Sequence, residues 1–509
     1  MRYLLGVDLG TSGTKTVLFT EEGKAVASAL IEYPLYQPKN GWSEQDPEDW
    51  WLAARDTIRE VIGKSGVNAA DICSLAISGQ MHGLVLLDEN GKVIRRALIW
   101  NDGRTQEACE EIHRLIGREK LISICGNPAL TGFTAGKVVW VKNEEPENWS
   151  RVRHMMLPKD YVRYRLTGKI LQEISDASGT NLLDIHTRTW SDEILNALGI
   201  DKALLPDLCG STEQAGVITA KAAEETGLKE GMPVAGGAGD NMCAAVGTGV
   251  VKPGAAFTTI GTSGVVYMHS DKLNIHPEGR FHAFCSAIPG EYVNFACTLS
   301  AGFSLKWFRN QFCQAEIQAA DEMDMDSYDL MNKEVKCSPI GANRLLFLPY
   351  LMGERSPLMD NNARGAFFGL SAMHTRRDLI RAVMEGVTYG LRQNLDTLSE
   401  NGTRPAEMLA CGGGAKSPIW CEIMANTYHM PVKTLENSEG PALGAAILAG
   451  VSCGVYKDVP SACEKLVHEK APTLPEADKE ALYEQYFQMF LKLYPCLKEA
   501  FSELQTLPC

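Results

Sequence analysis

Tyr3-Leu4-Leu5-Gly6-Val7-Asp8-Leu9-Gly10-Thr11-Ser12-Gly13 opens the chain, and its last four residues recur as Gly261-Thr262-Ser263-Gly264. Each copy follows a short apolar run that reads as a strand, Tyr3–Val7 before the first and Ala256-Phe257-Thr258-Thr259-Ile260 before the second. A strand, a turn of small residues and a second strand make a hairpin whose tip presents backbone N–H groups and hydroxyls, with no bulky side chain in the way. A concave nest of such donors suits phosphate oxygens. One nest in each half of the chain predicts a polyphosphate gripped from both sides of a cleft.

Composition bounds the remaining possibilities. A chain of 509 residues exceeds one hydrophobic core, so at least two domains are expected. The apolar fraction of 45% and charged fraction of 22% are those of a globular protein. A formal charge of −14 argues against nucleic acid or an anionic membrane as partner, since both select basic surfaces. No apolar stretch approaches the roughly 20 residues that span a bilayer, and the N-terminus, with Arg2 followed by Asp8, does not read as a secretory signal. The 15 cysteines, from Cys73 to Cys509, include no Cys-x-x-Cys pair and read as reduced apolar residues in a cytoplasmic protein. Monomer and homodimer both remain open.

Further along, Glu21–Lys24 and Glu89-Asn90-Gly91-Lys92 each separate two apolar runs and read as tight turns. Asp46-Pro47-Glu48-Asp49 opens a helix: a capping side chain, proline in the first turn, then acids at the positive end. Trp50, Ala54, Ile58, Val61 and Ile62 fall on one face of it. In the second half, Thr375-Arg376-Arg377-Asp378 is a capping box ahead of a long helix. Met408–Cys411 reads as a strand, followed by Gly412-Gly413-Gly414 and a helix opened by Ser417-Pro418, a transition that aims backbone donors at whatever lies above it. From about Pro475, Leu482, Tyr483, Tyr486, Phe487, Phe490 and Leu493 mark one face of a closing helix. No flexible linker divides the halves; the expected domains are 1–246 and 247–509, closely packed.

Four stretches carry residues with chemistry. Asp8 at the mouth of a phosphate-binding turn would repel the anion unless a divalent cation stood between them, and Mg²⁺, satisfied by one or two carboxylates plus phosphate and water, fits that gap; a simple cap of the turn is the alternative. Lys15 adds a charge near the phosphates or is a solvated strand lysine. Asp240, in Gly236-Gly237-Ala238-Gly239-Asp240-Asn241, sits on a glycine-rich bend between strand and helix, placed to take a proton from an alcohol during phosphoryl transfer or to cap the helix. Ser78-Gly79-Gln80-Met81-His82-Gly83 and Trp100-Asn101-Asp102-Gly103-Arg104 end strands with polar groups able to hold sugar hydroxyls. A structural histidine and an exposed turn with a partly buried tryptophan would look the same.

Together these pieces resemble the FGGY family of carbohydrate kinases, within the actin/hexokinase/Hsp70 superfamily, from Tyr3 to about Gly454. Two long patterns carry the likeness: Gly132-Phe133-Thr134-Ala135-Gly136-Lys137-Val138-Val139-Trp140-Val141-Lys142-Asn143-Glu144, and Gly365-Ala366-Phe367-Phe368-Gly369-Leu370 through Asp378-Leu379 to Ala382-Val383-Met384-Glu385. Within the family, Trp42–Pro47, Gln80–Gly83, Trp100–Arg104 and Leu157–Tyr161 are most similar to the xylulokinase group. The resemblance implies an α/β fold of two ribonuclease-H-like domains flanking a central cleft, and ATP-dependent phosphorylation of the 5-hydroxyl of D-xylulose with Asp240 as general base. It implies Met81, His82, Asp240 and Asn241 at the sugar, with Trp100, Asn101 and Arg104 nearby, and Mg²⁺ held by Asp8, largely through water, and by Asp240. Thr11, Ser12 and Lys15 would face the phosphates from the first domain and Gly261, Thr262 and Ser263 from the second, while Gly412, Gly413, Gly414 and Ser417 seat the adenosine. Leu358 and Asn361 stand where relatives often carry histidine and proline. Ribulose, fuculose, gluconate or glycerol as acceptor, and a nucleotide-driven chaperone or filament on the same core, are the competing readings.

Overall fold

The computed structural model describes residues 1–400, 402, 404–436 and 439–508. Cys509 lies outside them, and the described cysteines are all free. Two mixed sheets organise the chain, and they share a plan. In the first, β1 (Tyr3–Leu9), β2 (Gly13–Thr20) and β3 (Ala25–Glu32) form an antiparallel meander, and β4 (Ile72–Gly79) lies parallel to β1 on its other side. Beyond β4 come β6 (Pro233–Ala235), parallel to it, and then the edge strand β5 (Gln214–Val217); β7 (Ala238–Gly239) pairs with the end of β4. In the second, β8 (Ala256–Ile260), β9 (Gly264–Ser270) and β11 (Tyr292–Thr298) repeat the meander, with β10 (His282–Cys285) outside β11. β12 (Met408–Cys411) and β13 (Val432–Lys433) continue the parallel side. The repeated tetrapeptide is the outcrop of this repeated architecture, two ribonuclease-H-like α/β units of the actin/hexokinase type.

Strand β1 shows why its sequence is apolar on both faces. Leu5, Val7 and Leu9 pack with Trp50, Trp51 and Ile58 of helix α1 (Pro47–Ser65), which Asp46 caps by accepting from the N–H of Glu48. The opposite face, Leu4 and Gly6, meets helix α5 (Gly440–Ser452) from the far half of the chain. A strand covered on both sides reads as an unbroken apolar run. The turn at Glu89–Lys92 also forms, with Gly91 at a φ of 72° and Leu87 bridging Val93.

The halves join where α5 crosses helix α2 (Asp240–Gly247). A Cβ on Gly247 would stand 1.7 Å from the carbonyl oxygen of Gly440, one on Gly444 1.9 Å from that of Cys243, and one on Gly6 1.9 Å from that of Ala442. The two helices and β1 therefore touch backbone to backbone, an approach that only glycine permits.

Helix α3 (Arg376–Ser399) starts where the capping box places it, the Asp378 carboxylate accepting from both the N–H and the hydroxyl of Thr375. Helix α4 (Pro418–Tyr428) follows Gly412–Gly414 after a short 3₁₀ turn, capped by Ser417. The closing helix α6 (Ala477–Leu504) buries Tyr483, Phe487, Phe490 and Leu493 in the second core. Leu482, expected on the same face, is instead exposed, because Tyr483 and Tyr486 already fill the contact against Arg381 and Gly341.

Gly444→Val should force α2 and α5 apart and destabilise the protein by about 1–3 kcal/mol, the usual cost of overpacking. Chemical denaturation measures this; an unchanged midpoint would mean the crossing tolerates a side chain.

Candidate active site

The two hairpin tips are held in one chemical manner. At the first, the Gly10 carbonyl accepts from the Tyr33 hydroxyl and, at 3.3 Å, from Gln80 Nε2. The Thr11 carbonyl accepts from Gln45 Nε2 at 2.6 Å, and that of Ser12 from the N–H of Tyr33 at 3.3 Å. At the second, the Gly261 carbonyl accepts from the N–H of Gly302 at 2.8 Å, and that of Thr262 from Ala301 and Phe303 at 3.0 and 3.1 Å. With the carbonyls tied back, the N–H groups of Thr11, Ser12, Thr262 and Ser263 take no partner among the described residues. Oriented, unpaired donors at an exposed turn are suited to an anion. Gly412–Gly414 lie against the end of the second hairpin's first strand: a Cβ on Gly412 would meet the Ile260 carbonyl at 2.9 Å, and one on Gly414 the Ile260 side chain at 2.6 Å.

The acids converge beside the first hairpin. Asp8, Ser78 and Ala238 stand in register across β1, β4 and β7, and Leu9, Gly79 and Gly239 form the next row, so Asp240 emerges one residue beyond it. The Ser78 hydroxyl donates to Asp8 at 2.9 Å. Burial pushes the Asp8 carboxyl up to about 6 against the opposing pull of Ser78 and Lys15. Burial also pushes Asp240 up to about 7, and the Asp8 charge adds to the shift. Asp240 Oδ1 accepts from the Asn241 backbone N–H at 2.7 Å and from its side-chain amide at 2.9 Å, so Asn241 steers the carboxylate. A carboxyl that titrates near neutrality is matched to taking a proton at physiological pH. Among the described residues no group of three or more His, Cys, Asp or Glu side chains gathers as a cage for a metal ion.

Beside Asp240, a pocket wall is built from both halves. Asn241 Nδ2 lies 3.9 Å from Met81 Sδ, and Gly239 and Gly179 leave the space that Met81 and His82 occupy, since a Cβ there would stand 2.9 Å from Met81 Cγ and 2.8 Å from His82 Cε1. His82 adopts a φ of 68°, and its Nδ1 contacts the Gly179 carbonyl at 2.8 Å. Its ring stacks on Phe133 at 4.4 Å and approaches Phe284 of β10 at 6.0 Å. Burial, seconded by the Lys137 charge, holds the imidazole well below its usual range, so it is neutral. Lys137 is buried and donates to the carbonyls of Thr131, Gly132 and Phe133, fixing the turn that delivers Phe133.

Not every expected residue lines this space. Trp100 and Asn101 are exposed, and the Trp100 indole reaches the first hairpin. The Arg104 guanidinium does not face the site. It is 1% exposed, bonded to Asp102 and Glu44 and stacked on Trp42 at 3.6 Å, so it braces the loop from behind. Lys15 pairs with Glu439 of the far half at 2.6 Å, and the Ser417 hydroxyl is engaged with Asn332 at 2.7 Å as well as capping α4. Gln45, Phe133, Gly179 and Phe284 are not singled out as site residues by the sequence. Phe133 and Lys137 sit inside the first long pattern, whereas Phe284 carries no local signal and is found only by the packing of the halves. Leu358 packs against the second core, and Asn361 is exposed.

No helix among the described residues is long and apolar enough to cross a membrane. The N-terminal domain model of the FGGY family of carbohydrate kinases matches residues 3–247, and its C-terminal domain model matches residues 256–453. The xylulose kinase of Bacillus subtilis is 38% identical over 506 residues, 99% of each chain. The solved ligand-bound xylulose kinase from Lactobacillus acidophilus superposes with a TM-score of 0.92 at 28% identity, covering 99% of this chain and 100% of that one. A gluconate kinase from the same organism also gives 0.92, at 27% identity and 99% coverage of both. Both halves belong to one family: the chain is a member of the FGGY carbohydrate kinases.

Proposed function

We propose that this chain transfers the terminal phosphoryl group of ATP to the 5-hydroxyl of D-xylulose, giving D-xylulose 5-phosphate and ADP. The observation that carries the reading is Asp240: a half-buried carboxyl that desolvation raises to about 7, steered by Asn241 and standing beside Met81 and His82. In the reaction the sugar oxygen attacks phosphorus, the bond to the ADP oxygen breaks, and Asp240 takes the hydroxyl proton. Relatives named xylulose kinase, matched over nearly the whole chain, support the choice of sugar. The equal likeness to a gluconate kinase structure favours that acid as the second candidate.

The remaining roles follow from placement. Met81, His82, Asn241 and Asn101 hold the sugar, with only the ring face of Trp100 alongside because its N–H is committed to Thr11, and the neutral His82 offers a hydrogen bond without charge. Thr11 and Ser12 from domain 1–246, and Gly261, Thr262 and Ser263 from domain 247–509, cradle the phosphates. Lys15 joins them by exchanging Glu439 for a phosphate oxygen. Gly412, Gly413 and Gly414 seat the adenosine, with Ser417 holding the helix beneath. Asp8 and Asp240 fit Mg²⁺: both carboxyls are desolvated and the Asp8 charge raises Asp240, so the pair gains from a cation between them, and Mg²⁺ takes its other ligands from phosphate and water. When bound, Mg²⁺ supplies charge neutralisation for the phosphates. Closure of the halves keeps water, the competing acceptor, away.

Three outcomes test the assignment. Asp240→Asn should lower kcat by about 10²–10⁴ while sugar binding stays measurable by calorimetry; near-normal turnover removes the base. For the wild type, kcat/KM should rise with pH through about 7 and level off above it, because only the ionised Asp240 accepts a proton. A profile flat from pH 5 to 9 contradicts this. His82→Ala should raise KM for D-xylulose far more than KM for ATP. Turnover faster on gluconate, L-ribulose or glycerol than on D-xylulose would reassign the acceptor.

A further inference from the structure

The Trp100 indole Nε1 donates to Thr11 Oγ1 at 2.8 Å. An indole N–H can only donate, so the direction of this bond is fixed, and the threonine hydroxyl accepts through one lone pair. Its own proton must then point elsewhere, and among the described residues Thr11 Oγ1 has no acceptor. Both ends of the bond are anchored. The Thr11 carbonyl is held by Gln45 Nε2 at 2.6 Å, and Gln45 Oε1 accepts from Trp50 Nε1 at 3.1 Å and Gln80 Nε2 at 2.8 Å. The loop bearing Trp100 is pinned by Asp102, which accepts from the Ser43 N–H at 2.6 Å and binds Arg104. Trp100 itself is 37% exposed, free of the packing duty that its mass would suggest.

Resting on the kinase reading above, we infer that Trp100 is a positioning residue: its indole turns the Thr11 hydroxyl proton outward, so that the first hairpin offers a third oriented donor, beside the N–H groups of Thr11 and Ser12, to the phosphoryl group in transfer. Water at this place would leave the hydroxyl free to rotate, and each turnover would then have to order it. Because the indole belongs to the loop carrying Asn101, this single bond also ties the sugar side of the site to the phosphate side.

A double-mutant cycle tests this in the full chain with ATP, Mg²⁺ and D-xylulose. Trp100→Phe keeps the ring and deletes the N–H; Thr11→Val keeps the shape and deletes the hydroxyl. Each should lower kcat about tenfold, the scale of one lost hydrogen bond in the transition state. KM for the sugar should move less than about threefold. In the Thr11→Val background, Trp100→Phe should change kcat less than about twofold, because there is no hydroxyl left to orient. Thermal melts of the three variants should match the wild type. Fully additive losses, a loss confined to the sugar KM, or wild-type kinetics for Trp100→Phe would each overturn the inference. Absence of wild-type turnover on every sugar offered would instead defeat the kinase reading, and this inference with it.

Discussion

The backbone contact between α2 and α5 is the constraint from which the rest of the structure hangs. Gly247 and Gly444 leave no room for a side chain between the helices, and Gly6 extends the contact to β1. Helices that cross at this distance cannot slide past one another without lifting backbone off backbone, so this contact fixes how the halves meet. What each helix carries at its start is then located by the crossing. Asp240 is the first residue of α2, and Glu439, which pairs with Lys15, immediately precedes α5. The acid and the ion pair that bridges the halves are thus set by the same contact.

Electrostatics at the site run against stability. Asp8 and Asp240 are both desolvated and both raised, and the Asp8 charge carries part of the Asp240 shift. A fold optimised only to persist would separate them or neutralise both with its own cations; Lys15, which pulls Asp8 down, is itself paired with Glu439. The destabilising pair is held by the strand register that puts Asp8 next to Ser78 and by the Asn241 amide. Strain of this kind, kept by a rigid frame, is a common mark of a working site.

Much of this could be read from residues in order along the chain. The hairpins, the cap at Asp46, the capping box at Thr375 and the glycine run at Gly412 all announce themselves, because turns and caps depend on a few neighbouring residues. Asp240 stood out for the same reason. A guanidinium in a polar turn reads as available to a ligand, yet Glu44, Asp102 and Trp42, spread over some sixty residues, absorb that of Arg104. Phe284 and the Lys15–Glu439 pair escaped entirely, since both arise only when distant segments meet. Leu482 shows a smaller failure: helical periodicity gives a face, but the neighbours that cover it decide its width.

The repeated meander has one further consequence. In the two copies, Asp8 and Thr259 occupy the same place, two residues ahead of the shared tetrapeptide. On the kinase reading proposed above, two identical turns would treat the ends of a linear polyanion alike. Replacing the acid with a hydroxyl in one copy makes the turns chemically unequal, one flanked by a carboxylate and the other by a neutral side chain, and it is this inequality that would tell one end of the ligand from the other.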